Sequence, residues 1–110
     1  MSQPRRIVRA TSGFFDDLDR QLGADRGILG EPSRTDFQTL ELLEIIEVFA
    51  TQSELLPELI HGRTDYRVLI TIGTLVPVIT VIGQIAPDDA VELISLHLDF
   101  DVGWPGRPGD

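Results

Sequence analysis

The stretch YRVLITIGTLVPVITVIGQIA, residues 66–86, decides the fold. After Arg67 it carries no charged side chain, and its length is close to the roughly 20 apolar residues that a membrane-spanning helix needs. Its residues are mainly valine, isoleucine and threonine, however, and the pair Gly73–Thr74 interrupts it. Because β-branched residues favour strands and glycine favours turns, we predict two antiparallel strands joined at Gly73–Thr74, and no membrane span.

The second strand of this hairpin is apolar on both faces, with Val76, Val78 and Ile82 on one and Ile79, Val81 and Ile85 on the other. Such a strand belongs in the middle of a sheet, with Pro77 at its start, where no ladder donor is required. A third strand follows in VELISLHLDFD, residues 91–101. Its alternation predicts that Ile94, Leu96, Leu98 and Phe100 face inward and that Ser95, His97, Asp99 and Asp101 face outward.

Upstream of the hairpin the pattern predicts one short strand and a first helix. The segment RRIVRAT, residues 5–11, alternates basic and apolar residues, which is typical of a strand. Four apolar residues then recur at helical spacing and share one face: Phe14, Phe15, Leu18 and Leu22. Thr11 or Ser12 would cap the N-terminus of this helix, and Gly23 would end it.

A second helix is predicted over residues 35–51, because Thr35 and Gln38 form a capping-box pattern at its start. Its main apolar stripe consists of Leu42, Ile45, Ile46 and Phe49. Leu40 and Leu43 lie on another side, beside an acidic row. Two interpretations follow: the helix packs on two sides within the domain, or it provides an interface for a partner or a second copy.

The composition restricts the class of protein. A chain of 110 residues has the size of one domain, which we place at residues 1–101, with residues 102–110 as a flexible Gly/Pro-rich tail. The chain has no cysteine, so disulfides and thiol catalysis are excluded. The absence of cysteine fits a protein of the reducing cytoplasm. The N-terminal segment MSQPRRIVRATSG has no apolar core of a signal peptide, and we therefore expect a cytoplasmic protein.

The charge balance bears on the partners. The net charge is −9, from 18 acidic residues and 9 basic residues, all of them arginine. Such a field repels phosphate backbones, so it disfavours RNA or the ribosome as a partner. The acidity either keeps the surface soluble or complements a basic partner.

The predicted order is β–α–α–β–β–β, an α+β domain with an antiparallel meander packed against two helices. This order, together with LPELIHGRTDYRVLITIGTLVPVITVIGQIA, resembles the RelE/ParE superfamily of bacterial type II toxins. The meander of that family begins with a small residue, any residue, tyrosine, arginine and two apolar residues. Residues 65–69, DYRVL, match that motif from the second position on, and the resemblance covers roughly residues 5 to 100.

The resemblance implies a toxin that an antitoxin holds in check. RelE-type members cleave messenger RNA on the ribosome without a metal, and ParE-type members bind DNA gyrase. Arg67 stands where the motif arginine stands, so the resemblance implies that it contacts the scissile phosphate. In such an endoribonuclease site, Arg63 would assist Arg67, His61 would act as general acid or base, and Tyr66 would stack on a base or donate a proton. No cofactor and no metal would be required.

The same segment, HGRTDYR, also has a purely structural interpretation. Asp65 would pair with an arginine, Tyr66 would pack its ring on a helix, and His61 would be solvated. Alternation places Tyr66 and Arg67 on opposite faces of the strand. RelE-like toxins carry basic residues before this strand, where the present chain has PELI with Glu58. The alternative function is a non-enzymatic protein-interaction module of the same fold, homodimeric through the helix 35–51 or bound to a protein partner.

Overall fold

The computed structural model describes residues 5–28 and 30–100 of the chain. Its elements in chain order are β1 (Val8–Ala10), α1 (Ser12–Gln21), α2 (Arg34–Leu40), α3 (Leu42–Gln52), β2 (Tyr66–Thr71), β3 (Val78–Ile85) and β4 (Val91–Asp99). A single 3-10 turn, Ser53–Leu55, follows α3. The predicted tail, residues 102–110, and the predicted position of Asp101 lie outside the described residues.

The four strands form one sheet in the order β1-β4-β3-β2. β2, β3 and β4 make the predicted antiparallel meander, and β1 pairs in parallel with β4. β3 lies between two neighbours and Pro77 directly precedes it, so the predicted central position of this strand is confirmed. The α+β class is likewise confirmed, with a mixed sheet.

The helices cover one face of the sheet and form the core with it. The largest core side chains are Phe14, Leu18, Phe37, Ile45 and Phe49 from the helices and Ile79, Val81, Leu93 and Leu96 from the sheet. Because strand side chains alternate, the even-numbered residues of β2 and β3 point away from this core. We call that side the open face; it includes Val68, Ile70, Val78, Thr80 and Ile82.

The first helix follows its prediction with one exception. The Thr11 hydroxyl accepts the N–H of Phe14, so Thr11 is the N-cap. Phe14, Leu18 and Leu22 are buried, but Phe15 is exposed. Phe15 lies one residue past Phe14, so it sits at the rim of the buried stripe, and its ring meets that of Phe14 edge-on.

The predicted single helix over residues 35–51 is wrong, because the chain forms two helices that meet at Glu41. The capping box also lies two residues earlier than predicted: Ser33 Oγ accepts the N–H of Asp36, and the Asp36 carboxylate accepts the N–H of Ser33. Arg26 reinforces this cap, and its hydrogen bond lowers the pKa of Asp36 to about 2. The helix therefore begins where both reciprocal hydrogen bonds of the capping box form.

The predicted apolar stripe of this region is confirmed, with Leu42, Ile45 and Phe49 buried and Ile46 packed against them. The second row is exposed instead, with 65 % of Leu43 open to solvent. Packing of that row within the domain is therefore wrong. Self-association through the helix stays a prediction.

The turn of the hairpin lies further along the chain than predicted. Thr71 pairs with Ile79, so residues 72–77 form a six-residue loop in place of a two-residue turn at Gly73–Thr74. Val76, predicted in the strand, is a fully buried residue of this loop. The loop is held by Glu41, as described below, and this distant contact overrides the local turn signal.

A β-bulge shifts the pattern of the last strand. Ile82 pairs with Ser95 and Gly83 with Leu93, which leaves Ile94 without a partner in β3. Val91 and Leu93 therefore face inward before the bulge, and Leu96 and Leu98 after it. The predicted inward positions of Ile94 and Phe100 are wrong, because Ile94 is the bulge residue and Phe100 is exposed beyond the strand end.

None of the helices in residues 5–28 and 30–100 is both long enough and apolar enough to cross a membrane.

Candidate functional site

Arg67 anchors the segment before β2. Its Nε donates to the carbonyl of Thr64 at 2.8 Å, and its Nη1 donates to the carbonyls of Leu56 at 2.8 Å and Glu54 at 3.3 Å. Next to it, the N–H of Leu59 donates to Tyr66, and that of Val68 to Pro57. The guanidinium thus ties the end of the helical layer to the first half of β2.

Arg63, Asp65 and Tyr66 form a compact cluster. Arg63 donates two hydrogen bonds to the Asp65 carboxylate, at 3.0 and 2.9 Å. Its Cζ also lies 4.9 Å from the centre of the Tyr66 ring, a cation–π contact. The hydrogen bond from Arg63 lowers the pKa of Asp65 below its ordinary value. The guanidinium therefore has a carboxylate and a ring as partners before any ligand arrives.

His61 lies exposed in the turn that leads to β2. The next residue, Gly62, has φ +89, a left-handed conformation that favours glycine. The Glu58 carboxylate accepts the N–H of Gly62 at 3.0 Å and fixes this turn. A carboxylate, and not a basic side chain, therefore holds this turn.

The four predicted catalytic residues do not converge. Tyr66 pairs with Gln84 and Arg67 with Gly83, and Gly83 faces Phe49 in the core, so the predicted opposite faces are confirmed. Arg63 joins Tyr66 on one side, and Arg67 reaches the helical layer on the other. The structure brings together one pair, Arg63 and Tyr66.

Every arginine in residues 5–28 and 30–100 already has an acceptor. Seven form ion pairs with carboxylates: Arg5, Arg6, Arg9, Arg20, Arg26, Arg34 and Arg63. The eighth, Arg67, binds carbonyls. A phosphate approaching this part of the surface would have to compete with an internal acceptor at each of these guanidinium groups.

A cavity of about 510 Å³ lies elsewhere, between β1, the end of α3 and the β3–β4 turn. Arg6 lines it and pairs with Glu54 at 2.6 Å and with Asp89 at 3.7 Å. Arg5 and Asp88 also line it and are paired with Glu47 and Arg9. The charged side chains that line this cavity therefore already have ion-pair partners within the protein.

Glu41 is a buried carboxylate that the sequence analysis did not single out. Only 2 % of it is exposed, and it accepts the N–H groups of Thr74 at 2.8 Å, Leu75 at 3.3 Å and Val76 at 3.4 Å. A Cβ at Gly73 would collide with this carboxylate. Glu41 lies four residues before Ile45, on the buried face, and that spacing was a signal that it points inward.

Two further side chains, Asp17 and Gln21, hydrogen-bond to the backbone of β4. Beyond the end of β1, the N–H of Leu96 donates to the Asp17 carboxylate at 2.9 Å. The N–H of Leu98 donates to the Gln21 oxygen at 2.7 Å, and the Gln21 amide donates to Leu96 at 2.8 Å. α1 therefore completes the pairing of β4 where the short β1 stops.

The second half of β2 has no such cover within the described residues. Tyr66 and Val68 direct their backbone groups outward, toward residues 57–59, so Ile70 also directs its backbone groups outward. The isolated bridge Glu58–Arg67 stops before them. We call the outer side of Val68–Ile72 the free edge.

In the described residues, no group of three or more His, Asp or Glu side chains is placed to hold a metal ion. The fold and its polar contacts define a small α+β domain with an acidic, internally paired surface. Neither a family model, nor a curated protein, nor a solved structure matches the chain.

Proposed function

We propose that this chain is a non-enzymatic protein-interaction module. The observation that carries the proposal is that all eight described arginines are engaged with carboxylates or carbonyls. Phosphoryl transfer gains most from positive groups that are preorganised toward the transition state. Here the cations are organised toward the protein itself, and their role is to hold the fold.

The apolar surface supports the same proposal. Six of the twelve exposed large apolar residues in the described part of the chain lie in β2 or in the segments on either side of it: Leu55, Leu59, Ile60, Ile70, Ile72 and Leu75. Exposed apolar surface is a feature of interaction sites in soluble proteins. A partner that covers it would remove apolar area from water at about 25 cal/mol per Å².

A RelE/ParE-like toxin is the second candidate function, with an antitoxin as its partner. The order of the elements and the meander that begins at Tyr66 favour it. In that function, Arg67, Arg63, His61 and Tyr66 would cleave messenger RNA without a metal. Arg67 would have to leave the carbonyls of Thr64 and Leu56 to reach a phosphate.

Induced expression in a bacterium, followed by primer extension on cellular RNA, separates the two candidates. We expect no growth arrest and no new RNA ends. Arg67→Ala should lower the melting temperature, because three carbonyls lose their donor. Arg5→Ala, which removes an ion pair between two exposed side chains, is the matched control and should change the melting temperature much less. Growth arrest together with new RNA ends would instead support the ribonuclease.

Photo-crosslinking tests the interaction directly. A benzophenone amino acid at Ile72 should give a covalent protein adduct in cells that naturally contain the chain, because this side chain is 83 % exposed at the free edge. The same probe at the exposed Leu43 reports on the helix surface. Absence of adducts from both positions would contradict an interaction module.

A further inference from the structure

Three backbone groups at the outer side of β2 can bind an added strand. The N–H of Val68 donates outward, to Pro57 of the covering segment 57–59. Because outward and inward positions alternate along an antiparallel strand, the C=O of Val68 and both backbone groups of Ile70 also point away from β3. These three groups have no backbone partner among the described residues. A strand laid beside Ile70 would therefore form three hydrogen bonds with β2.

The two sides of this edge differ in their chemistry. On the open face lie Val68 and Ile70, and 67 % of Ile70 is exposed. On the helix side lie two carboxylates. Glu58 faces Arg67 in the isolated bridge, so both side chains are on the helix side, and Glu44 lines a small cavity between α3 and the end of β2. An added strand would meet apolar side chains on one of its faces and carboxylates on the other.

These two carboxylates have no cation as a partner in the described part of the chain. All eight described arginines bind other carboxylates or carbonyls, and neither Glu44 nor Glu58 takes part in an ion pair there. Glu58 accepts the backbone N–H of Gly62 instead. The net charge of the chain is −9, so uncompensated negative charge borders the free edge near both of its ends and attracts cations.

We propose that the free edge binds an extended segment of a partner protein in which apolar residues alternate with lysine or arginine. The segment adds a fifth strand beside β2, with its apolar residues next to Val68 and Ile70. Its basic residues lie on the helix side, between Glu58 and Glu44. A second copy of the chain would bring the same net charge of −9 to the contact, so charge complementarity favours the basic segment. This inference rests on the proposed function and names the chemistry of the partner.

A short synthetic peptide of alternating valine and lysine, labelled with a fluorophore, tests the charge and the pattern together. Fluorescence anisotropy should show saturable binding to the chain. The controls are a peptide of alternating valine and glutamate and a peptide with the same valines and lysines in two separate blocks. Both should bind at least about tenfold more weakly, because the first repels the carboxylates and the second cannot place its two residue types on opposite faces. Equal binding of either control would overturn the proposal.

Ile70→Pro tests the edge itself. Proline removes the outward N–H at this position and leaves the hydrogen bonds between β2 and β3, because Ile70 directs no backbone group toward β3. The variant should bind the alternating peptide at least about tenfold more weakly than the parent. Circular dichroism shows whether it is folded. A folded variant that binds the peptide unchanged would overturn the proposal.

Glu44→Gln and Glu58→Gln test the carboxylates without a change to the backbone. Each should weaken binding of the alternating peptide about twofold to fivefold, the range of exposed ion pairs. Asp25→Asn, which removes an exposed carboxylate from the loop between α1 and α2, is the control and should have a smaller effect. Unchanged affinity in both glutamine variants would overturn the role given to the carboxylates and, with it, the basic partner.

Hydrogen exchange identifies the occupant of the edge and separates this inference from the proposed function. Saturation with the alternating peptide should protect the amide of Ile70 and leave that of Leu69, which pairs with β3, unchanged. Protection of Ile70 that rises with the concentration of the chain alone would place a second copy there, which would overturn the basic segment and leave the interaction module intact. Growth arrest with new RNA ends would overturn the module, whatever the affinity for the peptide.

Discussion

The two sides of the sheet differ in how their backbone groups are covered. On the β1 side, Arg9 pairs with Asp88 and Glu92, and the side chains of Asp17 and Gln21 bind the backbone of β4. On the β2 side, the second half of the strand is uncharged and has no backbone partner other than β3 among the described residues. Side chains of α1 thus cover β4 where β1 stops, whereas no described segment covers β2 beyond Val68.

The contrast also explains why function should be sought at β2. Covering an edge takes several specific side chains, and the β1 side has them in α1 and in the β3–β4 turn. If the free edge had no partner, the same device would be expected there, since open apolar edges lead to aggregation. The described part of β2 lacks this device, which fits the interaction module that we propose.

The largest effect should come from Glu41, which fixes the loop where the free edge ends. Glu41→Gln keeps the size of the side chain but removes the charge and replaces one of its two acceptor oxygens by an NH2 group, so at least one of the three backbone donors loses its acceptor. We expect the free energy of unfolding in urea to fall by about 3 kcal/mol. Glu44→Gln, on the exposed side of the same helix, should change it by less than about 0.5 kcal/mol. Equal effects of the two variants would contradict the role given to Glu41.

Removal of the Asp17 side chain should leave the backbone of β4 beyond β1 uncovered, as that of β2 is. Asp17→Ala leaves the N–H of Leu96 without its acceptor, and we expect about 2 kcal/mol of destabilisation in urea unfolding. Asp16→Ala, one residue earlier and exposed, is the control. If Asp17→Ala unfolds like the parent, the covering role of α1 is wrong.

The salt dependence of self-association should distinguish contact through the β2 edge from contact through the β1 side. The free edge contributes no ion pair, and the two copies repel, so screening should tighten a dimer formed there about threefold between low and physiological ionic strength. Pairing through the β1 side would place its arginines and carboxylates in the contact and would weaken with salt. Sedimentation at two salt concentrations measures the sign, and a weaker dimer at high salt would count against the β2 edge.

Acid should weaken the Arg9–Asp88 ion pair on the β1 side. Arg9 lowers the pKa of Asp88 below its ordinary 3.8, so this ion pair stabilises the fold above that pH and is lost as the pH falls through the lower folded-state value. We expect a small fall in melting temperature below about pH 4 that is less steep in Asp88→Asn. Asp36→Asn should flatten the lower part of the same range, down to a pH of about 2. Identical pH profiles for parent and Asp88→Asn would contradict this assignment.

Periodicity predicted those parts of the fold that depend on local burial. The β-branched stretch after Tyr66, the stripe of α1 and the central position of β3 follow from which residues avoid water. The break at Glu41 does not, because it depends on backbone donors some 33 residues later in the chain. The bulge at Ile94 depends in the same way on the register between two strands.

The candidate site was harder to predict than the fold. Sequence spacing placed Tyr66 and Arg67 on opposite faces, but it could not show that Arg67 binds the carbonyls of Leu56 and Thr64. Side-chain partners of this kind come from tertiary packing of a loop on a helix end. The free edge also had no sequence signal, since an uncharged strand reads the same whether a neighbour covers it or not.

Hydrogen exchange at the backbone amides of Ile70 and Ile72, followed by NMR over a concentration series, tests the central claim most directly. In the isolated chain the amide of Ile70 points away from β3 and that of Ile72 lies beyond the end of β2, so both should exchange fast, and Leu69, which pairs with β3, should be slow. If two copies associate through the free edge, Ile70 and Ile72 become protected as the concentration rises, with Leu69 unchanged. Fast exchange of both amides at every concentration would contradict self-association through the free edge.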